Sequence, residues 1–150
     1  MSANDAALSG GTVSLTDELT YVPDDEYDLS FIDWETKVMF KRSKKLYLHF
    51  QITSLGEHFE KPLVMYFNAF FDGGPRKRGN FKVGPKSDFA RMFANVFQWN
   101  GRLDRVPMSK LKDVILVGRT RTVSIDRRQE TIPVPCHYSV VDRIISVKPR

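Results

Sequence analysis

Cysteine occurs once in the 150 residues, at Cys136, so no disulfide can close within the chain and nothing points to an oxidising compartment. No apolar run approaches the roughly 20 residues that a membrane-spanning helix needs. The opening Met1-Ser2-Ala3-Asn4-Asp5 lacks the basic-then-apolar character of a signal peptide. A soluble, cytoplasmic protein without a membrane partner is expected. Metal-ligand spacing is missing too: His49, His58, His137 and Cys136 fall in no recurring pattern, and the adjacent Cys136 and His137 would point to opposite faces of a strand. No metal and no cofactor are expected, and no internal repeat or heptad is visible.

Lys and Arg are absent from residues 1–28, which hold seven acids: Asp5, Asp17, Glu18, Asp24, Asp25, Glu26 and Asp28. Residues 29–150 therefore carry all 23 basic residues against the other 11 acids, a net +12. A body this basic fits a polyanionic partner, nucleic acid first and an anionic membrane or acidic protein behind it. With 41% hydrophobic residues, the chain can build one cored domain. The expected organisation is a flexible acidic leader over 1–26 and a single domain over 27–150.

The most regular stretch is Lys44 to Ile52. Leu46, Leu48, Phe50 and Ile52 share one face of a strand, and Lys45, Tyr47, His49 and Gln51 the other. Before it, Tyr27, Leu29 and Phe31 alternate with polar residues, and Trp34, Val38 and Phe40 follow after a slip in phase, which predicts a bulged first strand. Lys41-Arg42-Ser43-Lys44-Lys45 reads as a basic hairpin loop. A third strand is expected over Leu63–Phe71. Asp72 to Asn80 is Gly-rich and basic, a loop or flexible hairpin tip. Ser87 is a good helix cap, and Phe89, Met92, Phe93, Val96 and Phe97 make one apolar stripe that ends before Asn100-Gly101. Two more strands are expected, from Val114 to Ile125 and from Ile132 to Val147, the last interrupted by Pro133 and Pro135. Three strands, one helix and two strands, the first of them bulged, is the element order of the OB-fold. The expected architecture is mainly β, a five-stranded OB-fold-like Greek-key barrel with its helix between strands 3 and 4.

On such a barrel the outer face of strands 2 and 3 and the loops joining strands 1–2 and 4–5 bind oligonucleotides. Here that surface would collect Tyr47, His49, Gln51, Tyr66 and Asn68, with Phe70 fitting the core better. Lys41, Arg42, Lys44 and Lys45 flank it on one side, Arg127 and Arg128 on the other, and Arg119 and Arg121 lie on strand 4. Arg76, Lys77, Arg78 and Lys82 are placed to fold over a bound strand. Rings stack on bases and cations neutralise phosphates, which holds single strands without sequence readout.

Two enzyme-like patterns fit less well. Gly79 to Ser87 before a helix has the outline of a phosphate-binding loop, but Pro85 breaks its register and removes a backbone N–H. Pro23-Asp24 followed by Glu35-Thr36-Lys37 has the outline of a metal-dependent nuclease motif.

The run from Tyr27 to Val147, about four-fifths of the chain, resembles the small OB-fold single-stranded-DNA-binding proteins of bacteriophages and mobile elements, including uncharacterised families of that type. Leu46 to Ile52, Phe81 to Phe89 and Tyr138-Ser139-Val140-Val141 carry the resemblance. It implies cytoplasmic, sequence-tolerant binding of single-stranded DNA in replication or recombination, without catalysis, with RNA and homo-oligomerisation left open. Relatives of that function in bacteria recruit partners through an acidic tail, whereas this chain ends in Val147-Lys148-Pro149-Arg150. The acidic leader would then recruit a replication or recombination protein, or compete with DNA for the basic face. The alternative from another class is a protein-interaction module docking an acidic partner.

Overall fold

A computed structural model of the chain describes residues 20–39, 43–98, 107–125 and 128–150. Among these, β1 (Glu26–Met39), β2 (Ser43–Ile52), β3 (Pro62–Asn68), β4 (Val114–Val123) and β5 (Tyr138–Pro149) form one antiparallel sheet in the order β3-β2-β1-β4-β5. Helix α1 (Asp88–Phe97) falls between β3 and β4, and a single turn, α2 (Ser109–Lys112), precedes β4. No helix of the described residues is long and apolar enough to cross a membrane.

The slip in phase in β1 is a bulge. Phe31 pairs with Phe50 and Asp33 with His49, so Ile32 is the extra residue. Side chains alternate along a strand, and one inserted residue therefore reverses which parity faces inward. Leu29 and Phe31 are buried before the bulge, and Thr36 is buried after it with Trp34 packed against the core. The alternation of β2 holds throughout: Leu46, Leu48, Phe50 and Ile52 are fully buried, while Tyr47, His49 and Gln51 stay partly open to solvent.

Helix α1 starts as its sequence dictates, with the Ser87 hydroxyl accepting a bond of 3.1 Å from Ala90 N–H. Phe89 and Phe93 are fully buried, and Phe89 meets the edges of Phe67 and Phe81. The helix ends at Gln98, in the left-handed region with φ 53°. The expected stop at Asn100-Gly101 lies outside the described residues.

Closure into a barrel is the main difference from expectation. The sheet is open, with β3 and β5 as its two edges. A cleft of about 350 Å³ separates Met65–Phe67 from Val140–Ile145, and Met92, Asn95 and Val96 of α1 line it. The helix packs against both edge strands. Two element ends also move. β3 stops at Asn68, and Phe70 bridges instead to Lys82. β5 begins at Tyr138 and not Ile132, because Pro133 and Pro135 have no N–H to give and Val134–Cys136 coils into a 3₁₀ turn.

Residues 20–25, which composition places in a flexible leader, are tied to the sheet. Val22 is fully buried, its N–H donates to the Ser139 hydroxyl at 2.9 Å, and Ser139 N–H donates to the Thr20 carbonyl at 2.7 Å. The Thr122 hydroxyl donates to Asp24 at 2.6 Å, and Thr120 exchanges bonds with the backbone of Asp25. The Asp24 carboxylate and the Asp25 backbone are thus engaged with β4, while the Asp25 carboxylate accepts from Glu26 N–H. Residues 1–19 lie outside the described residues.

Candidate nucleic-acid interface

Strand register decides which side chains share the solvent face of the sheet. Tyr47 lies opposite Tyr66, and Lys45 opposite Asn68. Directly opposed residues in an antiparallel pair project to the same side. The Tyr47 and Tyr66 rings accordingly stack, with centroids 5.5 Å apart and planes at 27°. Lys45 donates to the Asn68 side-chain oxygen, and Lys37 of β1 holds its ammonium 4.7 Å from the Tyr47 ring centroid. The rings are half-exposed. They form a stacked aromatic pair on adjacent strands with cations at its margin.

The neighbouring strip of β1 brings carboxylates to the same face. His49 Nε2 lies 2.5 Å from Glu35 Oε2, and Lys37 lies 3.8 Å from the other Glu35 oxygen. Arg78 Nε donates to both Asp33 oxygens at 3.0 Å. Partial burial works to raise Asp33, but the Arg78 hydrogen bond, the Trp34 backbone N–H and the Arg78 charge outweigh it and hold the carboxyl below its usual range. A carboxyl depressed in the folded state adds stability that is fully present above its unfolded value, about 3.9, and is lost as pH falls through the folded value. Arg78→Met is therefore expected to lower the midpoint of urea unfolding at pH 7 and to lower it progressively less as the pH falls toward 2. An equal drop at both pH values would mean that packing of the Arg78 stem, and not the ion pair, is responsible.

The Gly-rich segment 72–80 is not a free tip. Thr36 N–H donates to the Arg76 carbonyl and Arg78 N–H to the Trp34 carbonyl, both at 3.0 Å, so residues 76–78 pair with β1 beyond the point where β4 leaves it. The buried Thr36 hydroxyl adds bonds to both Arg76 backbone groups. Gly79 is required at this crossing: a Cβ there would stand 2.8 Å from Thr36 Oγ1 and 2.7 Å from Arg76 Cγ.

The cations expected on one surface consequently divide. Lys45 stands on the aromatic face, and Lys77, which pairs with Glu35, and Arg78 lie along its β1 border. Lys44 projects to the other side, where its ammonium donates to the Phe71 carbonyl at 2.6 Å. Arg76 and Lys82 line the same cavity as Lys44. Arg121 pairs with Asp142 at 3.0 Å and lines the cleft between the sheet edges. Arg119 is half-buried on β4 opposite Arg143, Gln51 donates to the Glu60 carbonyl, and Arg128 is exposed. Lys41, Arg42 and Arg127 lie outside the described residues. Phe70, expected in the core, is exposed.

Tyr138 is a member of this surface that sequence reasoning missed. It opens β5 opposite Val123, and its hydroxyl is pushed above the ordinary tyrosine value by burial and by the nearby Tyr66, against the pull of Arg121. Tyr66 and Arg121 are thus near enough to act on its hydroxyl. Its phase in the closing strand was legible, but its neighbour on β3 is 72 positions away in the chain.

The two halves of the nuclease-like motif are bound to different strands. Asp24 bonds Thr122 of β4 and Glu35 bonds His49 of β2. Among the described residues, no group of three or more His, Cys, Asp and Glu side chains is arranged to hold a metal ion. Compared with known proteins, the chain matches no family model, no curated protein and no solved structure, so its function has to be inferred from the chemistry of the face itself.

Proposed function

We infer that the protein binds single-stranded nucleic acid, in the first place DNA, across β2 and β3, in the manner of an OB-fold protein. The observation that carries this is the stacked, half-exposed Tyr47–Tyr66 pair bordered by Lys45 and Lys37. A base has a π-face to lay on such a platform, and a phosphate finds an ammonium beside it. The long bulged β1 that pairs with both β2 and β4, and a sheet whose edges stop short of pairing, suit a partly open five-stranded OB barrel. Arg78 occupies Asp33, and His49 and Lys37 occupy Glu35, so the proposed path of the strand runs over Tyr47 and Tyr66 toward Arg121. That route asks for no sequence readout, which fits a role in replication or recombination of a phage or mobile element.

The test is a titration of a labelled 30-mer oligodeoxynucleotide with the full chain at several salt concentrations. Binding is expected to weaken linearly on a log–log plot, with a slope near −0.7 for each phosphate neutralised. If micromolar protein leaves the oligonucleotide free at low salt, the face is better explained as a docking site for an acidic protein. An RNA 30-mer of the same sequence separates DNA preference from general single-strand binding.

A further inference from the structure

Three of the cations that leave the aromatic face, Lys44, Arg76 and Lys82, gather on the opposite side of β1. A cavity of about 750 Å³ opens there between the inward-facing residues of β1 and the segment from Phe70 to Lys82. Four aromatic residues, Trp34, Phe70, Phe71 and Phe81, and three cations, Lys44, Arg76 and Lys82, line it. Asp72 is the acid on its wall.

We propose that this cavity binds a nucleoside phosphate, the base against Phe70, Trp34 or Phe81 and the phosphate among Lys44, Arg76 and Lys82. The volume falls within the roughly 300–1,000 Å³ range of small-molecule sites. Phe70 is 68% exposed, yet its backbone is fixed by two bonds with Lys82, Phe70 N–H to the Lys82 carbonyl at 2.8 Å and the reverse at 2.7 Å. An exposed ring on a pinned backbone is a standing platform. Lys82, directly opposite on the same bridge, places an ammonium beside it.

Among the described residues, neither Arg76 nor Lys82 has a side-chain hydrogen-bond or ion-pair partner. Lys44 gives one N–H to the Phe71 carbonyl and keeps two. Donors in this number, around rings, suit a ligand that is both flat and anionic. An apolar ligand would strand the cations, and inorganic phosphate would leave the rings unused. The wall is set before any ligand arrives: Trp34 Nε1 donates to the Gly79 carbonyl at 3.1 Å, and Thr36 holds the Arg76 backbone.

The site is separate from the aromatic face. Along β1, Trp34 and Thr36 turn to the cavity, whereas Glu35 and Lys37 turn to Tyr47 and His49. The same chemistry comes from a free nucleotide or from the 5′-phosphorylated end of a strand.

The experiment is calorimetric titration of the full chain with thymidine 5′-monophosphate, thymidine and inorganic phosphate, repeated on Phe70→Ala, Lys82→Ala and Tyr66→Ala. Both cavity substitutions fall on exposed side chains, and far-UV circular dichroism confirms that each variant is folded. The monophosphate is expected to bind at least tenfold more tightly than thymidine or phosphate. Phe70→Ala and Lys82→Ala should each weaken it about tenfold, and Tyr66→Ala should leave it unchanged. No heat at millimolar monophosphate, equal binding of thymidine, or indifference to both cavity substitutions overturns the proposal. So does a loss confined to Tyr66→Ala, which would place the nucleotide on the aromatic face. With binding established, a short oligonucleotide carrying a 5′-phosphate that binds more tightly than its 5′-hydroxyl form, in a manner lost with Lys82→Ala, assigns the site to strand ends. Equal binding of the two assigns it to free nucleotides. Failure here leaves single-strand binding on β2 and β3 untouched, since that is read by the Tyr66 substitution.

Discussion

Replacing Tyr66 with alanine is expected to weaken oligonucleotide binding by about 1–3 kcal/mol, roughly 5- to 150-fold, while the unfolding midpoint moves little. The ring is half-exposed and its inward neighbours Met65 and Phe67 carry the core contacts of β3, so the strand keeps its packing without it. Tyr47 stacks on Tyr66 from the adjacent strand, and its removal should produce a loss of the same order. Tyr138→Ala separates two routes: a comparable loss means the nucleic acid crosses toward β5, and no loss means that it ends at β3. The salt dependence is a second readout. Tyr66→Ala removes no charge and should leave the slope of log affinity against log salt unchanged, whereas Lys45→Ala should reduce it by close to one phosphate contact. Fluorescence anisotropy of a labelled 30-mer measures both. An alanine at 66 that binds as tightly as tyrosine would remove the stacking platform from the proposed function.

Phe89→Ala should have the largest effect on stability, a loss of about 3–5 kcal/mol by urea denaturation. Against a total of about 5–15 kcal/mol for an ordinary domain, that brings the fold near its threshold and lowers the melting temperature by about 10 °C or more. Phe89 is fully buried where α1 meets β3 and the 81–83 segment, in edge contact with Phe67 and Phe81 and tilted against Phe93. Alanine leaves a cavity among rings that cannot all move into it. Because α1 also packs against β5 beside the cleft, the same substitution should expose both sheet edges to faster amide exchange. A loss below about 1 kcal/mol would mean that the helix is not seated on the core through this ring.

How much of the molecule was legible depended on the range of the signal. Alternation in Lys44–Ile52 gave the inner and outer faces of β2, and the slip after Phe31 gave the bulge, since each is written in the order of neighbouring side chains. Ser87 and the Phe89/Phe93 stripe gave α1 for the same reason. The extent of the last strand was less legible: a 3₁₀ turn at Val134–Cys136 competes with pairing there, and Pro133 before it and Pro135 within it favour the turn.

The sequence by itself determined a mainly β chain with one substantial helix, a strand that offers Tyr47 and His49 to solvent, and a basic body from residue 29 onward. Only the tertiary structure decided that the sheet stays open between β3 and β5 and that residues 76–78 pair with β1. It also decided which cations share a surface, sending Lys44, Arg76 and Lys82 to the cavity and leaving Lys45 with the stacked rings. The physical reason is that periodicity is set within a few residues by the geometry of a strand or helix turn. Which strands meet, and which ends of long charged side chains find carboxylates or carbonyls, is settled by contacts between residues far apart in the chain.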